Sequence, residues 1–111
     1  MNCLNQLILE GTCVKDVEFR DVPIPNAKAV IAVERSYKSE DGAEIKEVSY
    51  FDIESFGQLA EVISKHGKKG RGIRVVGRLK QNRWTDETSK THSRVSVVAE
   101  YVEFKPTKEE K

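Results

Sequence analysis

Leu59-Ala60-Glu61-Val62-Ile63-Ser64-Lys65-His66-Gly67 decides the fold, because the apolar period of the chain changes there. Leu59, Ala60, Val62 and Ile63 recur at the spacing of one helical face, and His66-Gly67 with Gly70 marks where that helix stops. On both sides the pattern is that of strands. Upstream, Leu4 to Cys13, Ala27 to Lys38 and Glu44 to Phe56 read as three strands. Ser39-Glu40-Asp41-Gly42 is a turn of hairpin type between the second and third. Asp21 to Asn26, with Pro23 and Pro25, reads as a loop or an irregular edge. Downstream, Gly72 to Trp84 returns to alternation, Thr85 to Ser93 is polar and loop-like, and Arg94 to Phe104 is the last strand.

Five strands with one helix between the third and fourth is the connectivity of an all-β OB-fold, the small Greek-key barrel. Other five-stranded barrels and sandwiches share that order. Composition agrees with strands: Val, Ile and Thr number 25, against 12 for Leu, Ala and Met. A chain of 111 residues fits one domain. We read residues 1–104 as that domain and residues 105–111 as a short charged tail. Val, Ile, Leu and Phe total 29, above the level that signals disorder. The longest apolar run, Ala29 to Val33, is five residues, far short of the roughly 20 that cross a bilayer. Met1 to Gln6 shows no basic segment followed by an apolar one, so a cytoplasmic location is expected. Cys3 and Cys13 then read as reduced, inert, strand-borne thiols.

The net charge of +1 conceals a strong asymmetry. Lys65 to Arg94 holds ten basic residues against two acids, a local charge of +8. A block of this size suggests an anionic partner, nucleic acid first. The strand inside that block is the informative one. Its odd positions, Ile73, Val75, Gly77 and Leu79, suit a barrel interior, while Arg74, Val76, Arg78, Lys80, Asn82 and Trp84 share the other face. Cations follow phosphates, and an aromatic ring stacks on a base without asking which base it is. The plain alternative is a strand-end Trp that caps the barrel beside a solvated charged face. In the third strand Tyr50 and Phe56 share one parity, and Phe51 and Ile53 the other. Tyr37, beside Arg35 and Lys38, is a further stacking candidate, whereas Tyr101 and Phe104 sit near acids and read as structural.

Enzyme chemistry finds little support. Gly67, Gly70 and Gly72 lack the GxxxxGK[ST] pattern, and no GxSxG elbow is present. Two cysteines with His66 and His92 do not make a four-ligand metal pattern, so neither metal nor cofactor is expected. Asp86-Glu87 read as solvated acids at a loop tip.

Phe56-Gly57-Gln58-Leu59-Ala60-Glu61, Lys68-Lys69-Gly70, Val76-Gly77-Arg78-Leu79 and Arg83-Trp84-Thr85-Asp86 together resemble the bacterial single-stranded DNA-binding protein family. Asn5 to Gly11, Asp16 to Arg20 and Val95 to Ala99 fall at the places the family expects, so the resemblance covers roughly residues 4–104. It implies an OB-fold, usually assembled into homotetramers, that binds single-stranded DNA with little sequence preference and no catalysis. The family's stacking positions fall on Tyr37, Tyr50, Phe56 and Trp84, two of them Tyr where relatives commonly carry Trp. Its basic contacts map onto Lys69, Lys80 and Arg83, while Arg74 and Arg78 come from the strand alternation. Gln6 and Gln58 stand where relatives often carry Lys, and the usual Asp-Pro-Glu is Asp16-Val17-Glu18. Relatives typically continue to an acidic C-terminal tip that recruits replication and repair proteins. This sequence stops at Lys105 to Lys111 without one.

The function expected is therefore binding and protection of single-stranded DNA in replication, recombination and repair. The rival expectations are a primosomal OB-fold protein that mainly bridges proteins, and an OB-fold module for a protein or oligosaccharide ligand.

Overall fold

The computed structural model describes residues 2–106. Its elements are β1 (Leu7–Cys13), β2 (Glu18–Arg20), β3 (Asn26–Lys38), β4 (Glu44–Phe56), α1 (Gln58–His66), β5 (Gly72–Thr85) and β6 (Thr91–Phe104). Five of the strands close on themselves. β3 and β4 pair along their whole length, β4 runs parallel to β6 at Ile53–Val97 and Glu54–Val98, and β6 pairs antiparallel with β5. β5 then pairs with β1, and β1 returns to β3 through Thr12–Ala32 and Cys13–Ile31. The result is the expected OB-fold barrel with one helix between β4 and β5.

Alternation fills the interior. Ala29 and Ile31 from β3, Ile53 from β4, Ile73 and Val75 from β5 and Val97 from β6 are all buried. The helix α1 plugs one end of the barrel with Ala60 and Ile63, while Val62 stays exposed. Its start depends on Gly57, whose φ of 68° is costly for any residue with a Cβ. There the Gly57 N–H donates to the Pro25 carbonyl at 2.8 Å, and the Gly57 carbonyl accepts from Ala60 and Glu61. Among the described residues no side chain caps this end.

Several sequence boundaries move, each for a local reason. The first strand begins at Leu7 rather than Leu4, because Asn5 takes over the pairing: its amide donates to the Leu79 carbonyl at 2.8 Å and accepts from the Leu79 N–H at 3.0 Å. Cys3 is consequently exposed and precedes the strand, against the strand-borne reading, while Cys13 is buried. The three-residue β2, too short for a periodic signal, lies on the outer edge of β3. Thr91 to Ser93 belong to β6, since β5 and β6 continue as a two-stranded arm to Thr85–Thr91. The same arm explains Leu79, expected inside but half exposed: the last β1 partner of β5 is Leu7, opposite Gly77.

The β5–β6 register skips Glu100, with Val76 facing Tyr101 and Gly77 facing Ala99. This bulge turns Val102 and Phe104 toward the core and sends Tyr101 outward. Val17 uses its N–H to bond the Gly67 carbonyl at 2.8 Å, tying the turn after β1 to the end of α1, a bond that the Pro expected there from the resemblance could not make. Lys105, assigned to the tail, is held by the barrel: its N–H reaches the Gly72 carbonyl at 2.9 Å and its Nζ the Glu10 Oε1 at 2.5 Å. Residues 107–111 of that tail lie outside the described residues.

Candidate nucleic-acid interface

The outer face of the β4–β6–β5 side gathers most of the residues singled out from sequence. Tyr50, Asp52, Glu54 and Phe56 alternate outward on β4, opposite the inward Phe51, Ile53 and Ser55. On β5 the outward set is Arg78, Lys80, Asn82 and Trp84, and these face Val98, Ser96, Arg94 and His92 of β6. β5 keeps its alternation because the extra residue of the bulge is on its partner. Trp84 is 50% exposed and Tyr50 66%, so both rings offer area to a ligand. Lys80 Nζ lies 6.0 Å from the centroid of the Phe56 ring, placing a cation and an aromatic from distant parts of the chain together.

Other sites lie elsewhere. Tyr37 faces Ile45 on the opposite side of the β3–β4 hairpin from Tyr50. Arg83 has the opposite parity from Trp84, and its Nε donates to Gln81 Oε1 at 3.0 Å. Lys69 sits in the α1–β5 connection, where its backbone N–H donates to Asp16 Oδ1 at 2.9 Å. Arg74 shares the outward parity of Trp84 but is claimed by carboxylates: its NH2 is 2.9 Å from Glu10 and its NH1 3.5 Å from Glu103. Glu10 is held below the usual carboxylate range by Lys105 first and Arg74 second.

Between β3, β4 and the β5–β6 arm the surface is concave, a groove of about 470 Å³ walled by Trp84 and Asn82 and floored by Val30 and Ile53. Six charged residues line it: Lys15, Lys28 and Arg94 against Glu18, Asp52 and Glu54. Arg94 Nε donates to Asp52 Oδ2 at 2.8 Å, and Ser96 Oγ donates to Glu54 Oε2 at 2.6 Å. Sequence reading missed this set. Arg94 was visible only as the end of a basic block, and the parallel β4–β6 register that joins it to Asp52 leaves no local period.

The arm's tip is organised by Asp86. Its Oδ1 accepts from the Thr88 N–H, the Thr88 hydroxyl and the Lys90 N–H, at 2.9, 2.7 and 3.0 Å. Its Oδ2 lies 2.6 Å from His92 Nε2, and the His92 ring stacks on Trp84 at 5.5 Å and 23°. The acid read as merely solvated thus fixes the ring that supports Trp84. Its pKa is lowered to about 2, chiefly by His92, then Thr88 and Lys90. A depressed carboxylate stabilises the fold above its ordinary range and loses that contribution as pH falls toward the folded value. The Asp86 side-chain carboxyl resonance therefore keeps its ionised position at pH 4 and moves only as pH approaches 2. Movement centred near pH 4 would show that Asp86 does not hold the turn.

The model of the single-strand binding protein family matches residues 4–105. The chain belongs to that family. Among curated members, the single-stranded DNA-binding protein of Wolinella succinogenes is 38% identical over 94% of this chain and 65% of its own length. That of Helicobacter hepaticus is 35% identical, again over 94% of this chain, and 62% of its own length. The chain thus spans just under two thirds of these relatives. A crystal structure of a deletion mutant of the family member from Thermus aquaticus superposes with a TM-score of 0.83 at 28% identity, over 96% of this chain and 53% of that one. A Plasmodium falciparum family structure in complex with single-stranded DNA superposes at 0.84 over 96% of this chain and 98% of that one, and at 18% identity it bears on the fold alone.

Proposed function

We propose that this protein binds single-stranded DNA without catalysing a reaction, coating strands exposed in replication, recombination and repair in the bacterial cytoplasm. The observation that carries the reading is the exposed Trp84, backed by His92, on the same barrel face as Tyr50, Phe56, Arg78 and Lys80. Bases stack on the rings, and the cations track the phosphates and release their counterions. Neither interaction requires a particular sequence. Tyr37, Lys69 and Arg83 extend the path around the barrel, and Arg74 contributes least, because Glu10 and Glu103 already neutralise it.

Assembly into a homotetramer is part of the proposal. Ile8, Val76 and Tyr101 form a cross-strand apolar row on the outside of β1, β5 and β6. Ile8 and Tyr101 are both exposed, and among the described residues β1 pairs with β3 only at Thr12 and Cys13, so Leu7 to Glu10 presents an open edge. A second copy would cover both.

The test is a titration of Trp84 fluorescence with a mixed-sequence single strand at several salt concentrations, with anisotropy of the labelled strand alongside. Quenching accompanies binding, and affinity falls with salt. If Lys69, Arg78, Lys80 and Arg83 each neutralise one phosphate, log K against log salt has a slope of roughly −3. Absence of binding by both readouts would overturn the reading in favour of a protein-interaction module.

A further inference from the structure

Among the described residues three cations line the groove between β3, β4 and the β5–β6 arm, and each is placed against a carboxylate. Lys15 Nζ lies 3.5 Å from Glu18 Oε1, and Lys28 stands opposite Glu54 in the β3–β4 register. Arg94 contacts Asp52 Oδ2 through both Nε and Nη2. The groove is therefore close to neutral. On the single-strand reading, a strand passing from Trp84 toward Tyr50 crosses it. Asp52 is the next outward residue after Tyr50 on β4, and Arg94 is the next after His92 on the arm.

Of the three pairs, Arg94–Asp52 is the one able to change partners. Lys15 and Lys28 come from the turn after β1 and from β3, whereas Arg94 stands on the arm with Trp84. The Arg94 side chain is 64% exposed and that of Asp52 30%, so water screens their attraction and the contact holds weakly. Both contacts use one carboxylate oxygen, and Arg94 Nη1 has no partner among the described residues. A guanidinium is a planar fork of donors that fits phosphate oxygens as well as a carboxylate. A phosphate that reaches Arg94 takes the place of an anion already there. The phosphate gives up its condensed cation, and the displaced Asp52 takes one up. Such an exchange adds little affinity and no net salt dependence.

We propose that Arg94 is a further phosphate-binding residue held in check by Asp52, and that this pair lowers both the affinity and the salt dependence of single-strand binding. The inference rests on the single-strand reading and adds a masked contact to it. The test follows the anisotropy of a labelled mixed-sequence strand at several salt concentrations. Wild type is compared with Asp52→Asn and with the Asp52→Asn, Arg94→Ala double variant, the fold of each checked by circular dichroism. Asn fills the place of Asp52 without its charge. Asp52→Asn binds roughly twofold to fivefold tighter at low salt, the range of one exposed ion pair. Its slope of log K against log salt steepens by about 0.7, the share of one further phosphate. Adding Arg94→Ala removes both changes. Wild-type affinity and slope in Asp52→Asn would overturn the masked contact. So would a gain that survives Arg94→Ala, which would make Asp52 a general repeller of phosphate. In either case the wild type still binds, and the single-strand reading stands. Failure of the wild type to bind the strand would overturn both readings.

Discussion

Replacing Trp84 by alanine is expected to weaken binding of a mixed-sequence single strand by about 1–3 kcal/mol, roughly 5- to 150-fold, while leaving the melting temperature nearly unchanged. The two halves of this expectation come from the same geometry. Half of the Trp84 surface is open to solvent, on an arm where β5 and β6 have left the barrel, so truncation opens no cavity in the core. The stacking area is lost outright, because His92 lies on the ring rather than beside it and cannot present an indole-sized face. Trp84→Phe should recover a good part of the affinity, since any π-face stacks. Arg74→Ala provides the contrast. Its charge is already met by Glu10 and Glu103, so affinity should change less than twofold despite its place on the same strand face. Equal losses at Trp84 and Arg74 would mean that the strand runs along β5 as a whole, rather than over the arm.

The difference between those two residues also marks how far sequence reaches. Alternation in Gly72 to Trp84 put Arg74 and Trp84 on one face correctly, because β5 is regular and one-sidedly buried up to Gly77. What alternation could not show is that Arg74 meets acids from β1 and β6, whose registers are set by pairings 64 and 29 residues away in sequence. The barrel order was legible because one helix interrupts otherwise strand-like segments. The three-residue β2 was not, having no period to detect. The β6 bulge at Glu100 was also hidden: Val97 and Ala99 face inward on one parity, Val102 and Phe104 on the other, so the strand reads as irregular until its partner is known. Although Tyr37, Lys69 and Arg83 lie elsewhere, the grouping of Trp84 with Arg78 and Lys80, and of Tyr50 with Phe56, was legible from strand alternation. The Asp52–Arg94 and Glu54–Ser96 contacts were not, since parallel pairing between β4 and β6 joins residues about 42 positions apart.

Gly77→Ala should be the most damaging small substitution in the barrel. A Cβ on Gly77 would lie 2.1 Å from the Val98 carbonyl oxygen and 3.0 Å from its carbon, and both are backbone atoms that cannot swing aside. The site is where three constraints meet. Gly77 is the last residue of β5 paired with β1, it faces Ala99 across the β6 bulge, and it is buried. Relief would require β5 to move away from β6, breaking the register that carries Lys80, Asn82 and Trp84 onto the binding face. Overpacking of this kind costs about 1–3 kcal/mol, and a rigid neighbour puts this case at the upper end. In a domain of this size each kcal/mol lowers the melting temperature by roughly 4–8 °C, so a fall of about 10 °C or more is expected. Gly42→Ala, in the exposed β3–β4 turn where a Cβ meets no atom within 4 Å, carries only the strain of its φ of 87° and should cost less. Thermal denaturation of the two variants checks the order. A Gly77→Ala protein as stable as the wild type would show that β5 and β6 are not packed this closely, and with that the placement of Trp84 beyond Gly77 would lose its support.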